Sequence, residues 1–207
     1  MNALEFVPGV FSGPRLGQSN CYLIRDRGQT VLVDCGMPKD REQIGRFLAL
    51  AGWRLDVVVL THGDIDHRGA ATALAKAADA EVWAGALERP FLSGSLRPRR
   101  LVRRMMTHLL SPVAVDRWLK EGDEVAGFRV WETPGHTAGH LSLVRTADRV
   151  VVAGDALVVS REGPILPRPW LNEDQEQAQK SAARLLALGP SWLLTGHGRP
   201  WKGPEGA

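Results

Sequence analysis

The chain has 207 residues, 44% hydrophobic and 24% charged, with a formal net charge of +3. That balance suits one soluble globular domain with its own core, and so small a positive excess gives no reason to expect a nucleic-acid partner. No run approaches the ~18 consecutive apolar residues of a membrane span and no basic-then-apolar leader opens the chain. The two cysteines, Cys21 and Cys35, form neither a CxxC pair nor a disulfide framework, so a reducing cytoplasm is the expected compartment.

In chain order, residues 4–11, 20–25 and 30–34 read as short strands punctuated by Gly and Pro. Residues 40–50 read as a helix, because Ile44, Phe47, Leu48 and Ala51 recur at i, i+3, i+4 and i+7. The apolar run at 56–60 reads as a strand buried on both faces. An Ala-rich helix follows at 69–78 and a short strand at 81–84. The second half repeats the order, with strands at 125–132, 140–145 and 149–153. Asn172 and Gln175 resemble a capping box that opens a helix to about Leu188, stopped by Gly189, and a last strand runs over 192–195. Two halves of this kind predict an α/β fold of two packed sheets with helices outside, an αββα four-layer sandwich in one domain over 1–207.

A basic helical insertion is expected at about 86–120. Within it, residues 99–110 alternate polar and apolar pairs, which puts four arginines and an apolar stripe on one helix. A plain surface helix is the simplest reading. A cap over a substrate, a homodimer contact or an anion-facing wall are the functional ones. The arginines have no aromatic residues between them, so no base-stacking platform is visible and nucleic acid is disfavoured as a partner.

Four of the six histidines, His62, His67, His136 and His197, fall in short Gly-rich turns after or between predicted strands. Asp64, Asp66 and Asp155 are interleaved with them. A lone histidine is usually structural, but four in such settings, mixed with carboxylates, point to a metal site for zinc, iron or manganese. In an extended turn His62 and Asp64 point the same way and can reach one ion, whereas adjacent Asp66 and His67, entering a helix, can reach a second.

The ordered set His62-x-Asp64-x-Asp66-His67, Pro134-Gly135-His136-Thr137-x-Gly139-His140, Gly154-Asp155 and Gly196-His197-Gly198 resembles the metallo-β-lactamase superfamily over nearly the whole chain. The resemblance implies the metallo-β-lactamase fold and a binuclear site. His62, Asp64 and His136 would bind one divalent ion, Asp66, His67 and His197 the other, and Asp155 would bridge both. His140 would be structural, and Asp34 matches a position that supports the loop, although here a strand-end cap is the simpler reading. The family usually carries His where this chain has Asp64. Two divalent ions bring four positive charges, and three carboxylates with a bridging hydroxide return four negative ones. The cluster would then be neutral, which favours harder metals and raises the pKa of bound water. Zinc is the first expectation, with iron or manganese as alternatives.

The implied activity is hydrolysis of an ester, thioester or lactone-type bond in a small-molecule substrate by a metal-bound hydroxide, with Asp66, His62 and His67 at the reacting centre. The chain resembles the metal domain of glyoxalase II without that family's C-terminal helical region. No serine sits in a nucleophile elbow, and Cys21, Cys35 and Tyr22 read as core residues. Two rivals stand. A mononuclear iron persulfide dioxygenase-like enzyme would need only His62, His136 and Asp155. A metal-containing anion or nucleic-acid binder would show steeply salt-dependent binding.

Overall fold

The computed structural model describes residues 3–96 and 111–204. Its first sheet holds β1 (Glu5–Val7), β2 (Val10–Ser12), β3 (Tyr22–Asp26), β4 (Gln29–Val33), β5 (Val57–Leu60), β6 (Glu81–Gly85) and β7 (Arg117–Leu119), side by side in chain order. β1 to β4 form an antiparallel meander, and β4 to β7 run parallel. Parallel neighbours need crossovers. They are supplied by α1 (Arg41–Ala51) between β4 and β5, and by α2 (Ile65–Arg68) with α3 (Ala71–Ala78) between β5 and β6. A short α4 (Arg89–Leu92) follows β6.

The second sheet holds β8 (Glu124–Val125), β9 (Phe128–Glu132), β10 (Leu141–Arg145), β11 (Val150–Gly154), β14 (Trp192–Thr195) and β15 (Trp201–Lys202), in spatial order β15-β14-β11-β10-β9-β8. β11 and β14 are its parallel pair, joined through the hairpin β12 (Val158–Val159) and β13 (Pro164–Ile165) and through α5 (Gln175–Leu186).

Side-chain alternation shows how the layers stack. In β4 and β5, Val31, Val33, Val57 and Val59 face the second sheet, whereas Leu32, Val58 and Leu60 pack with Ile44 and Leu48 of α1 and Leu74 of α3. In β11, Val150 and Val152 face the first sheet, while Val151 and Ala153 pack with Ala182 and Leu185 of α5. Both sheets are therefore covered on both faces, which is why their central strands read as unbroken apolar runs. Each fully buried Val, Leu or Ile contributes on the order of 1.5–3 kcal/mol. The expected αββα sandwich is the observed architecture.

Several boundaries differ from the sequence reading. Residues 4–11 are two strands, because Pro8 and Gly9 turn the chain between Val7 and Val10 and Gly9 takes a φ of 78°. The run 125–132 likewise splits at Ala126 and Gly127, whose φ values of 45° and 78° make a tight hairpin turn. Residues 117–119, inside the expected helical insertion, are strand β7 at the edge of the first sheet. The arginine-rich helix expected at 99–110 lies outside the described residues. The N-cap of α5 is Asp174, whose carboxylate accepts the Gln177 N–H, and not Asn172. No helix among the described residues is long and apolar enough to cross a membrane.

Candidate metal centre

Strand ends gather on one edge of the sandwich. After β5 the chain runs through Thr61 and His62 to Asp64, which keeps an extended backbone as the residue before α2, and the single turn of α2 carries Asp66 and His67. The other side chains come from the second sheet. His136 sits on the β9–β10 loop, Asp155 directly follows β11, and His197 follows β14. Gly135 with a φ of 134° lets its loop press against the Ala178 backbone of α5, and Gly196 leaves open the space beside Asp155 and His67 that a Cβ would fill.

The structure brings all seven sequence-predicted residues together. Three groups of donor atoms lie within 4.8 Å of one another: His62, Asp64 and His136; His62, His67 and Asp155; and Asp66, His67 and His197. Asp64 Oδ2 is 3.2 Å from His136 Nε2 and 3.5 Å from His62 Nε2. Asp66 Oδ2 is 3.4 Å from His197 Nε2 and 3.9 Å from His67 Nε2. Asp155 lies between the two sets, with Oδ2 3.2 Å from His197 Nε2 and 3.7 Å from His136 Nε2, and Oδ1 3.5 Å from His67 Nε2.

The outer ring nitrogens fix the tautomers. Asp34, at the end of β4, accepts the Thr61 N–H and the Thr61 hydroxyl, each at 2.9 Å, and the His67 Nδ1–H at 2.7 Å. With its one hydroxyl proton given to Asp34, the Thr61 oxygen accepts the His62 Nδ1–H at 3.0 Å. The Gln18 carbonyl accepts the His197 Nδ1–H at 2.9 Å. The Asn172 amide donates to Gln175 at 2.7 Å, and its oxygen accepts the His136 Nδ1–H at 3.2 Å. Every one of the four histidines thus turns Nε2 inward, as an imidazole prepared for a metal does. His140 behaves differently. Its Nε2 accepts the Asp155 backbone N–H at 3.0 Å, so it is engaged in holding Asp155 and does not face the cluster.

Two features of the cluster are consistent with a cation here. His62 Nε2 and Asp155 Oδ1 are buried without a hydrogen-bond partner in the protein, a costly arrangement unless something else pairs with them. The carboxylates also act on the imidazoles. Burial opposes charge on His67, but Asp155, Asp34 and Asp66 outweigh it and push its pKa up to about 10. Burial would likewise raise the Asp155 carboxyl, yet His67, His197 and His136 hold it well below its ordinary range. Burial holds the His62 imidazole below its usual value, reinforced by His67. A set of imidazole nitrogens and carboxylates with no thiolate suits Zn, Fe or Mn.

The cluster forms the floor of a cavity of about 370 Å³, walled on one side by the stretch from Val158 to Leu171. The second sheet reaches it across the first, since Asn20 N–H donates to the Gly196 carbonyl while Asn20 Nδ2 and the Tyr22 hydroxyl both donate to the Thr195 carbonyl. Sequence reasoning missed Asn172, Thr61 and Gln18 as orienting groups. Asn172 had been assigned to a helix cap, and a backbone carbonyl such as that of Gln18 carries no residue-type signal. Asp34 does more than cap its strand, because it ties two of the histidines through one carboxylate.

A family model described as the metallo-beta-lactamase superfamily matches residues 14–197. A Bacillus subtilis protein described as "Probable metallo-hydrolase YflN" is 32% identical, over 89% of this chain and 82% of its own length. The hydroxyacylglutathione hydrolase GloC of Haemophilus influenzae is 30% identical, over 87% of this chain and 86% of its own. Among solved structures, TTHA1623 in a di-iron-bound form superimposes with a TM-score of 0.74 at 26% identity, covering 98% of this chain and 94% of that one.

Proposed function

The chain belongs to the metallo-β-lactamase superfamily and is a metal-dependent hydrolase, and from that premise we propose that it holds two divalent ions and cleaves an ester, thioester or lactone bond. The observation that carries the proposal is the position of Asp155, whose two oxygens approach histidines of both ligand groups. His62, Asp64 and His136 would hold one ion and Asp66, His67 and His197 the other. Bound there, the ions would supply Lewis acidity toward a carbonyl and toward a water.

The residues of the chain do the rest. Asp34, Thr61, Gln18 and Asn172 keep the imidazoles in one tautomer and orientation, and His140 fixes Asp155. The reading of Asp64 as a donor and not as a relic is supported by its oxygen standing within 3.5 Å of two inward-turned nitrogens. A mononuclear iron dioxygenase would leave Asp66, His67 and His197 gathered to no purpose. Thioesters gain weight from GloC, because a hydroxyacylglutathione hydrolase matched over 86% of its length removes the need for an added helical region. Zinc is the proposed ion, with iron next. The two buried free cysteines support a cytoplasmic setting.

The test is elemental analysis of the purified protein and of Asp64→Ala, with turnover of thioester, lactone, phosphodiester and β-lactam substrates. We expect about two ions per chain, about one in the variant, and acyl hydrolysis that chelation removes and added metal restores. One ion that added metal cannot raise, or no turnover of any acyl substrate, would overturn the reading.

A further inference from the structure

The wall of the cavity is apolar on one stretch and carries one cation. Val158 and Ile165 pair across the β12–β13 hairpin, and Leu166, Pro167 and Leu171 continue the surface. Arg168 stands among them, and among the described residues it is the one lysine or arginine that lines this cavity. It has no carboxylate partner among the described residues, and its guanidinium lies 5.1 Å from the centre of the Trp170 ring. Stacking of this kind restricts the guanidinium without neutralising it.

Arg168 is also held in register with the metal centre. A 3-10 turn over Pro169–Leu171 follows it, with Leu171 N–H donating to the Arg168 carbonyl at 2.9 Å, and the next residue is Asn172, which orients His136. Only the three residues of that hydrogen-bonded turn therefore separate Arg168 from the asparagine that orients an inward-turned imidazole. The floor supplies three carboxylates, which offset most of the charge that two divalent ions would bring. An anionic substrate thus finds little net attraction in the floor beyond direct ligation, and Arg168 is where its distal charge can be met.

We propose that Arg168 selects substrates whose short apolar arm ends in a carboxylate, the arm lying along Val158, Ile165, Leu166 and Leu171 with the reacting carbonyl at the cluster. A cavity of about 370 Å³ suits an arm of a few carbons. The proposal rests on the hydrolase reading for its reaction but not for its binding.

The experiment compares mono-4-nitrophenyl glutarate with 4-nitrophenyl pentanoate, esters of equal chain length with and without the terminal charge. It also compares glutarate with pentanoate as ligands of the metal-loaded protein by calorimetry. The wild type should favour the glutarate ester in kcat/KM, chiefly through KM, and bind glutarate more tightly than pentanoate. Arg168→Gln should cut both preferences about tenfold, Arg168→Lys should retain part of them, and Arg161→Gln, an exposed charge at the hairpin turn outside the cavity, should leave them alone. Equal handling of the two compounds by the wild type, or equal losses for both in Arg168→Gln, overturns the assignment. If neither ester is turned over, the hydrolase reading fails for these esters, while the calorimetric preference and its dependence on Arg168 still decide this one.

Discussion

Four of the seven candidate ligands, His62, Asp64, Asp66 and His67, come from one turn of the first sheet, whereas His136, Asp155 and His197 come from three separate strand ends of the second. The supports differ in the same way. One buried carboxylate, Asp34, steadies both histidines of the first group, directly at His67 and through Thr61 at His62. Each second-sheet ligand has its own support: Asn172 for His136, Gln18 for His197 and His140 for Asp155. A shared support makes the first half precise but exposes two ligands to one lesion. Separate supports confine damage to one ligand at a time.

The largest effect should follow from Asp155, the second-sheet residue whose oxygens approach histidines of both sheets and which is proposed to serve both ions. Asp155→Ala is expected to abolish turnover, by more than about 10³-fold, and to empty at least one site, since it removes the donor proposed to be shared and leaves His67 and His197 with Asp66 as their nearest carboxylate in the cluster. Metal content and single-turnover rates check it. A variant that retains two ions and its rate would show that the halves hold their metals independently.

Next comes the shared support. Asp34→Asn should weaken metal affinity by on the order of 100-fold, the upper end for a group behind a ligand. A second readout separates orientation from general damage. In the metal-free protein the His67 pKa of about 10 keeps its ring protonated at neutral pH, so metal capture must expel that proton. Apparent affinity should therefore rise with pH up to that value, by about tenfold per unit for each proton released. Because Asp34 helps to raise the His67 pKa, the variant should release fewer protons, measurable by calorimetry in buffers of different ionisation enthalpy. Unchanged proton release would detach Asp34 from His67.

The smallest loss should attend a separate support. Asn172→Ala should weaken metal binding by about tenfold and only in the group that contains His136. Stepwise metal titration reads this as one weakened and one intact site. Equal weakening of both would mean that the second-sheet supports are coupled after all.

The same contrast explains what the sequence disclosed. His62 to His67 are legible because a single backbone path places them, and spacing along such a path translates directly into direction. The central strands were legible from unbroken apolar runs such as 57–60, and α1 from its period. Asn172 was misread because Asn before a helix is so often a cap, and only the fold reveals that its carbonyl meets a ring 36 residues upstream. The strand pairs at Pro8-Gly9 and Ala126-Gly127 were merged because β-propensity continued across two-residue turns. The wall from Val158 to Leu171 left no signature, since apolar residues there look like any core segment until a strand end is placed beside them.

The return of the chain through Thr195 and Gly196, pinned by Asn20 and Tyr22, sets an order for biosynthesis. His197 reaches the cluster only once β14 has emerged from the ribosome, paired with β11 and docked against strands made much earlier. Until then the turn at 62–67 would offer an ion only part of the proposed set of donors. On the two-ion reading, lasting capture would be the closing event of maturation. A fully loaded molecule would then report that its earliest and latest strands have met.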